Sequence, residues 1–385
     1  MTKVFDGFER PDGSVGVRNH LLILSVNGLT GPTARRIGRS VMNAKVVTTP
    51  YGSGLLGEDG AVQTRSLIGM GRHPNVGATI VVGAHPPQVR ELAAAMAEVG
   101  KPVEALIFDD CNHDALTMTD RGIRLAAALS RDLSRQRRRE APVSKLFLAM
   151  ECGRSDPSSG LVANPLVGRI SDRVVAEGGR VVIGETIEWL GAEHILASRA
   201  EPAVAEQLVA AVARREAFAV DAGIDLVGNN PGPTNIAAGL STIEEKSLGG
   251  IAKGGTSPVR SVLGIAQPPA GPGLHVMDAP AYSPESVTGM VTAGAQLALF
   301  TTGVGNSYVS LLAPTLKISG NPETAARLHE QLDFDGSGVF TGVDTMDKAA
   351  DELFATLIDV ASGTLTWGEI LDEGEEVISR MGPAL

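Results

Sequence analysis

The chain has 385 residues, enough for two or three domains, and its 43% hydrophobic and 20% charged residues are those of an ordinary globular protein with a sizeable core. A formal charge of −11 excludes a basic nucleic-acid surface but not an acidic substrate, because a few Arg and Lys residues can focus field inside a cleft. No apolar run approaches the roughly 18 residues of a membrane span, the start Met1-Thr2-Lys3-Val4-Phe5-Asp6 lacks a signal core, and two cysteines argue for a reducing compartment, so the expectation is a cytoplasmic protein with neither nucleic acid nor membrane as partner.

In chain order, residues 21–26, 44–49, 78–83 and 104–108 are short apolar runs rich in branched residues. Helical patterns lie between and after them at about 31–43, 61–72, 87–99 and 115–138. Strands alternating with helices imply βαβ units and a parallel sheet. The strand ends Asn27-Gly28, Tyr51-Gly52-Ser53-Gly54, Ala84-His85 and Asp109-Asp110-Cys111-Asn112-His113 then converge on one edge. Residues 1–141 read as a doubly wound, Rossmann-like α/β domain. The basic run Arg131, Arg135, Arg137, Arg138 and Arg139 suits a solvated helix end before the stop at Pro142.

Residues 142–385 read as a larger α/β domain. An apolar strand, Leu146 to Met150, runs into Glu151-Cys152-Gly153-Arg154-Ser155-Asp156, with Ser158, Ser159, Gly160 and Asn164 following. A polar, glycine-bearing loop after a strand is where open α/β sheets bind ligands, and a helix starting at Asn164 or Pro165 would aim its N-terminus at an anion. A helix is expected at about 165–178, a strand at 180–184 ending in Glu185, and helices near 187–198 and 201–221. Residues 228–275, rich in Gly, Pro, Ser and Thr, read as a long functional loop region. A strand at 296–301, a helix at 345–361 and a tail helix at 367–380 close the chain.

Glu151, Asp156, Glu185 and Glu188 fall on or just after strand ends. Removing a proton beside a carboxylate and expelling a leaving group needs a base, an acid and a cation or metal for the enolate. Glu151 and Asp156 are the candidate acid–base pair; Arg18, Arg154, Lys246 and Lys317 are the candidate anion holders. His85, Asp109, Asp110, Cys111 and His113 form the main His/Asp/Cys concentration. From it His85, Asp110 and His113 are taken as candidate ligands of a divalent ion such as iron, manganese or magnesium, without zinc spacing. Neither a Walker loop nor a dinucleotide fingerprint occurs, so no nucleotide cofactor is expected.

Glu151-Cys152-Gly153 with Ser155-Asp156, Ser159-Gly160 and Ala163-Asn164-Pro165 resembles the altronate and galactarate dehydratases, whose relatives include the large subunit of sulfolactate sulfo-lyase. Asp12-Gly13 with Gly16-Val17-Arg18-Asn19, Glu185 with Glu188, Asn230-Pro231 with Pro233 and Asn235, Glu245-Lys246-Ser247-Leu248-Gly249, Phe300-Thr301-Thr302-Gly303, Lys317-Ile318, Asn321 and Asp333-Phe334-Asp335 extend the resemblance along nearly the whole chain. It implies a hydro-lyase acting on a small anionic hydroxy acid or sugar acid. The carbon–sulfur lyases, an isomerase or racemase, and a non-catalytic acid-binding paralogue stand as alternatives. It adds Asn19, Ser53, Ser155 and Ser159, and with them Asn164, Asn235, Thr302 and Asn321, to Arg18 and Arg154 as substrate-contacting candidates. It also implies a homo-oligomer and a separate small subunit carrying an SAF-type domain. The chain departs from the family at Gly28, Ser53, Pro86 and Gly250, where the relatives carry cysteine, and at Ile236 and Val304, where they carry cations. A cysteine-held iron site at those positions is therefore not expected.

Overall fold

The computed structural model describes residues 3–381. It is an α/β structure with two parallel sheets and a small antiparallel ribbon. The first sheet has four parallel strands in the spatial order Ala44–Thr48, His20–Ser25, Val76–Gly83, Val103–Ile107. Alternation along its strands divides the side chains between two faces. Leu21, Ile23 and Ile80 pack with Ile37 and Met118 of the helices Gly31–Ser40 and Ala115–Leu133. Leu22, Leu24 and Val81 pack on the other side with Met70 and Leu92 of the helices Gly57–Arg72 and Pro86–Ala97. With helices on both faces, the sheet is doubly wound, as the alternating sequence pattern implies.

The second sheet has seven parallel strands in the order Val259–Leu263, Gly273–Met277, Arg180–Ile183, Phe147–Cys152, Leu297–Thr301, Thr315–Ser319, Phe334–Asp335. One face, with Leu148, Met150, Leu299 and Ile318, is covered by Asn164–Ala176 and Met346–Ala361 through Val167, Ile170 and Leu353. The opposite face carries Phe147, Ala149 and Phe300. These belong to the same apolar cluster as Leu22, Leu24 and Met70, with Val287 and Met290 of the helix Ser283–Thr292 between them. A single stretch of core thus runs from one sheet to the other.

Several expectations from sequence need correcting. The tail helix expected at 367–380 is a single turn, Trp367–Ile370. Asp372 turns left-handed at φ 54°, and the extended chain beyond it is satisfied by its neighbours. Thr288 donates to Glu376 at 2.8 Å and accepts from the Val377 amide at 2.9 Å. The long loop region at 228–275 contains two strands of the large sheet, Val259–Leu263 and Gly273–Met277. Polar residues interrupt their apolar pattern, but Ser261 and His275 are paired at 2.8 Å across the two strands. The helix expected at 187–198 is split into a 3₁₀ turn, Thr186–Trp189, and a short helix, Glu193–Ala197. The helix expected to run to 138 stops at Leu133, and Arg139–Pro142 pairs antiparallel with Val4–Glu9. Arg138, read as part of a solvated helix end, lies 4.7 Å from the Phe8 ring centroid and donates to the Asp6 and Val17 carbonyls.

Candidate active site

The central strand of the large sheet, Phe147–Cys152, is where the connections change direction. The chain moves from it to Arg180–Ile183 on one side and later returns to Leu297–Thr301 on the other. Such a switch opens a crevice at the carboxyl ends of the strands. Glu151-Cys152-Gly153-Arg154 lies at its mouth. Gly153 is required by close approach: a Cβ there would stand 2.6 Å from Asn306 Nδ2 and 2.8 Å from Phe300 Cζ. Arg154 follows at φ 55° and turns the chain out of the sheet.

Four acid groups and two lysines meet behind this turn. The Cys152 thiol lies 3.4 Å from Glu185 Oε1 and 3.6 Å from Glu188 Oε2, and it accepts from Lys253 Nζ at 3.0 Å. Lys253 also forms an ion pair with Glu185, both being fully buried. Lys246 Nζ is 2.7 Å from Glu188 Oε1 and 2.6 Å from Asn230 Oδ1, while Asn230 Nδ2 donates to Glu188 at 3.1 Å. Glu151 accepts from Ser286 Oγ at 2.8 Å, and its other oxygen is buried without a hydrogen-bond partner. Glu185 is held at φ 66°, a left-handed conformation that costs a side-chain-bearing residue about 1–2 kcal/mol. Lys253 reaches the cluster because Gly168 lets the turn Ile251–Gly254 dock: a Cβ on Gly168 would fall 2.1 Å from the Ala252 carbonyl oxygen.

Burial and the two ammonium groups pull these groups in different directions. Burial holds Glu151 well above the usual carboxylate range, and the Glu185 charge adds to it. Burial also raises the Cys152 thiol, so it stays protonated. Glu185 is raised by burial against the opposing pull of Lys253. For Glu188 burial again acts upward, but Lys246 and Lys253 outweigh it and the carboxyl is lowered. Lys253 is raised well above its usual value: burial opposes its charge, and the acid groups packed round it, Glu185 in direct contact, overcome that opposition. Glu188 is therefore the carboxylate of the cluster drawn furthest toward its ionised form, and although buried it lines a cavity. A cavity of about 630 Å³ is lined by Cys152, Arg154, Glu188, Lys246 and Tyr308, with Glu373 and Glu375 at its rim. A second cavity of about 330 Å³ shares Cys152 and Lys246 and adds Ser155, Asp156 and Asn164. The Ser155 hydroxyl there is buried without a partner.

Residues 143–384 match the model of the D-galactarate/altronate dehydratase C-terminal domain, and residues 7–134 match that of the second domain of D-galactarate dehydratase/altronate hydrolase. The chain belongs to the galactarate/altronate dehydratase family. The (2R)-sulfolactate sulfo-lyase subunit beta of Chromohalobacter salexigens is 35% identical over 384 residues, which is 98% of each chain. The altronate dehydratase of Escherichia coli is 33% identical over 392 residues, covering 98% of this chain and 78% of the relative. The galactarate dehydratase (L-threo-forming) of Escherichia coli is 30% identical over 381 residues, covering 93% and 73%.

The candidates read from the family pattern are distributed over more than one place. Glu151, Arg154 and Lys246 gather at the crevice with Ser155, Asp156, Ser159 and Asn164. Asp156 accepts from Ser158 at 2.6 Å, from the Ser159 amide at 3.1 Å and from Asn321 at 2.7 Å. Asn164 accepts from Thr301 and donates to the Gly249 carbonyl, Asn235 donates to the Ser155 carbonyl at 2.8 Å, and Thr302 accepts from the Gly305 amide. These bonds shape the loops around the crevice. Lys317 lies beneath it, donating to the Tyr308 carbonyl, with its ammonium 3.6 Å from the Phe300 ring centroid. Arg18 pairs with Glu369 at 2.6 Å, and Asn19 bonds Arg10 and the Leu133 carbonyl, so neither reaches the crevice. Ser53 and His85 line a separate groove on the small sheet.

The expected metal ligands are not gathered. Asp110 pairs with Arg90 and His113 with Asp109, and both histidine and carboxylates there are exposed. Among the described residues, the group of ligand atoms that could hold a metal is Cys152, Glu185 and Glu188, all within 4.8 Å of one another. Cys152, Asn230 and Lys253 are site residues that the sequence alone does not mark. Cys152 and Asn230 stand in the sequence only as parts of the motifs that carry the family resemblance, and Lys253 lies outside those motifs. The usable signal was the unbroken apolar strand leading to Glu151-Cys152, since a thiol at a buried strand end must face whatever the neighbouring strand ends present.

Proposed function

We propose that this protein is a carbon–oxygen lyase that eliminates water from a small hydroxy acid or sugar acid. The observation that carries the reading is the ionised Glu188 beside Lys246 at the wall of the 630 Å³ cavity. Lys246 binds the substrate carboxylate, and Glu188 takes the proton from the carbon beside it. The electron pair moves into the carboxylate as an enediolate, which the ammonium group stabilises. The hydroxyl on the next carbon leaves as water with a proton from the cluster's acid side, where Cys152 is protonated and touches the cavity. The enol formed then tautomerises to a 2-keto acid. Glu185 and Lys253 are positioning residues behind Cys152, and Glu151 supports the same end of the strand.

The residues present also fit a divalent cation. Glu151, Cys152, Glu185 and Glu188 outnumber Lys246 and Lys253 by two negative charges when all four are ionised, and burial keeps Glu151 and Cys152 protonated. A divalent ion held by Cys152, Glu185 and Glu188 would replace two protons; the thiolate favours iron over magnesium. Such an ion supplies Lewis-acid stabilisation of the enolate when bound. Titration with Fe(II) under anaerobic conditions should release protons and be lost in Cys152→Ala; retention in that variant and loss in Asp110→Ala/His113→Ala would return the metal to the small domain.

A carbon–sulfur lyase is the second reading. It is favoured by the end-to-end match to a sulfolactate sulfo-lyase subunit, against partial coverage of the dehydratases. The same proton abstraction then expels sulfite. That relative's designation as a beta subunit also supports a second chain as partner. The test is product analysis with altronate, galactarate and sulfolactate: a 2-keto acid without sulfite supports the dehydratase, sulfite with pyruvate supports the sulfo-lyase. Binding without turnover, in the presence of iron and of any co-purifying small chain, would make the protein an acid-binding paralogue; inversion at the α carbon alone would make it a racemase.

A further inference from the structure

We propose that the groove at the carboxyl end of the four-stranded sheet is a second ligand site, which takes the phosphate or sulfonate group of a small molecule. The sheet has its own switch of direction. The chain passes from His20–Ser25 to Ala44–Thr48 on one side, then to Val76–Gly83 on the other. The crevice this opens lies between Asn27-Gly28 and Ala84-His85, and a groove of about 550 Å³ is found there. It shares no lining residue with the two cavities around Cys152.

The lining selects an anion. In a chain of net charge −11 it contains no carboxylate at all, and it presents Asn27, Arg35, Thr48, Ser53, His85 and Gln88. Arg35 has no acidic partner among the described residues; its one hydrogen bond goes to Thr48 Oγ1 at 3.2 Å. Two helices begin at the groove, Gly31–Ser40 and Pro86–Ala97, and neither first turn receives a side-chain cap. Their dipoles favour negative charge between them, and the first-turn amides that can donate are those of Gly31, Thr33 and Gln88, because Pro32, Pro86 and Pro87 carry no N–H. The observation that points to a ligand is Asn27. The residue lines the groove and is only 6% exposed, its Oδ1 has a weak bond from Thr30 at 3.4 Å, and its Nδ2 has no acceptor among the described residues. The volume exceeds that of a bare anion, so the group belongs to a small molecule whose remainder lies along Tyr51 and Leu29.

The full-length protein would be titrated by calorimetry with glycerol 3-phosphate, methanesulfonate and inorganic phosphate, with malonate as the carboxylate comparison. Saturable binding is expected, tightest for the organic phosphate or sulfonate, and weakening as salt is raised. Arg35→Gln and Ser53→Asp, both at exposed positions and therefore compatible with folding, should each weaken it by roughly tenfold or more; circular dichroism and the melting temperature check the fold. Lys246→Met should leave it unchanged. The proposal is overturned if none of the three tetrahedral anions binds saturably, if both groove variants bind as the parent does, or if Lys246→Met abolishes binding, which would place the anion in the crevice of the large sheet. Inorganic phosphate binding as tightly as glycerol 3-phosphate would identify the free ion as the ligand, and malonate binding best would overturn the tetrahedral assignment.

Discussion

The two sheets open crevices by the same topological rule, and the side chains make the two openings chemically opposite. At the end of the large sheet, Glu151, Cys152, Glu185 and Glu188 are packed with two lysines and shut away from water, with Glu188 and Lys246 at the surface of the cavity. At the end of the small sheet, the groove is open, has no carboxylate and offers hydroxyl, amide and imidazole groups with Arg35. Charges in the first place are strong because water is excluded and each must be balanced by another. Charges in the second are weak until a ligand arrives. Topology therefore locates both crevices, and the buried arrangement is the one that holds groups whose protonation burial and neighbouring charges shift.

The sharpest break between the two is in turnover. Glu188→Gln removes the ionised base while preserving shape and the bond from Asn230. It should lower kcat by roughly 10²- to 10⁴-fold. Steady-state kinetics on whichever acid the parent turns over would decide it; a change of less than tenfold would move the base elsewhere in the crevice. Ser53→Asp in the other groove should leave the circular dichroism spectrum as it is.

Next in size is the cost of unbalancing the buried charges. Lys253→Met leaves Glu185 and Cys152 without their shared cation in a fully buried site. Removing one partner of such a pair typically costs about 3–5 kcal/mol, which urea unfolding would register. The double variant Lys253→Met/Glu185→Gln should recover part of that loss, since both charges are then absent. A double variant no more stable than the single one would mean that Lys253 acts through packing alone.

Glycines make a smaller contrast. Gly153→Ala forces a methyl group against Asn306 and Phe300 and should cost about 1–3 kcal/mol. Gly52→Ala, in the open groove with no atom within 4 Å of the new carbon, should stay within about 0.5 kcal/mol of the parent. Equal effects in thermal unfolding would contradict the difference in packing drawn here.

Much of this was legible in the sequence. Branched apolar runs such as 78–83, alternating with helical patterns, specify a parallel sheet because such strands are buried on both faces. The stretch Glu151 to Asn164 stood out through its glycines and polar residues after an apolar strand. What stayed hidden was pairing over distance. Lys253 lies 101 residues from Cys152 along the chain and touches it; no spacing rule links them, and the glycine contact at Gly168 that brings them together is a property of packed backbones. Arg18 shows the converse, a cation that fits a family pattern and whose guanidinium is spent on Glu369 and the Val360 and Thr364 carbonyls. The strands Val259–Leu263 and Gly273–Met277 were missed because Ser261 and His275 satisfy each other, which a one-dimensional pattern reads as loop.

A pH-dependent effect is expected at Lys317, beneath the crevice. Burial lowers its ammonium to about 7, although Asp333, Glu373 and Glu151 all act to raise it. The direction is opposite to that of a lysine gaining a partner. Between pH 7 and the ordinary lysine value of 10.5 the unfolded chain holds a proton that the folded protein has released, so stability rises with pH across that window and the contribution is lost below it. Asp333, held at about 6 by burial, titrates below the window and leaves the sign intact. Lys101 is lowered to about 7 as well, so the parent keeps part of the slope whatever happens at Lys317. The quantity to measure is therefore the difference between the parent and Lys317→Met in urea unfolding at pH 7 and pH 9.5. The variant has no charge to release, and its stability should rise less over that interval. Identical slopes would mean that Lys317 keeps its charge under Tyr308 and Phe300, and would join it to Lys246 and Lys253 as a third fixed cation of the crevice.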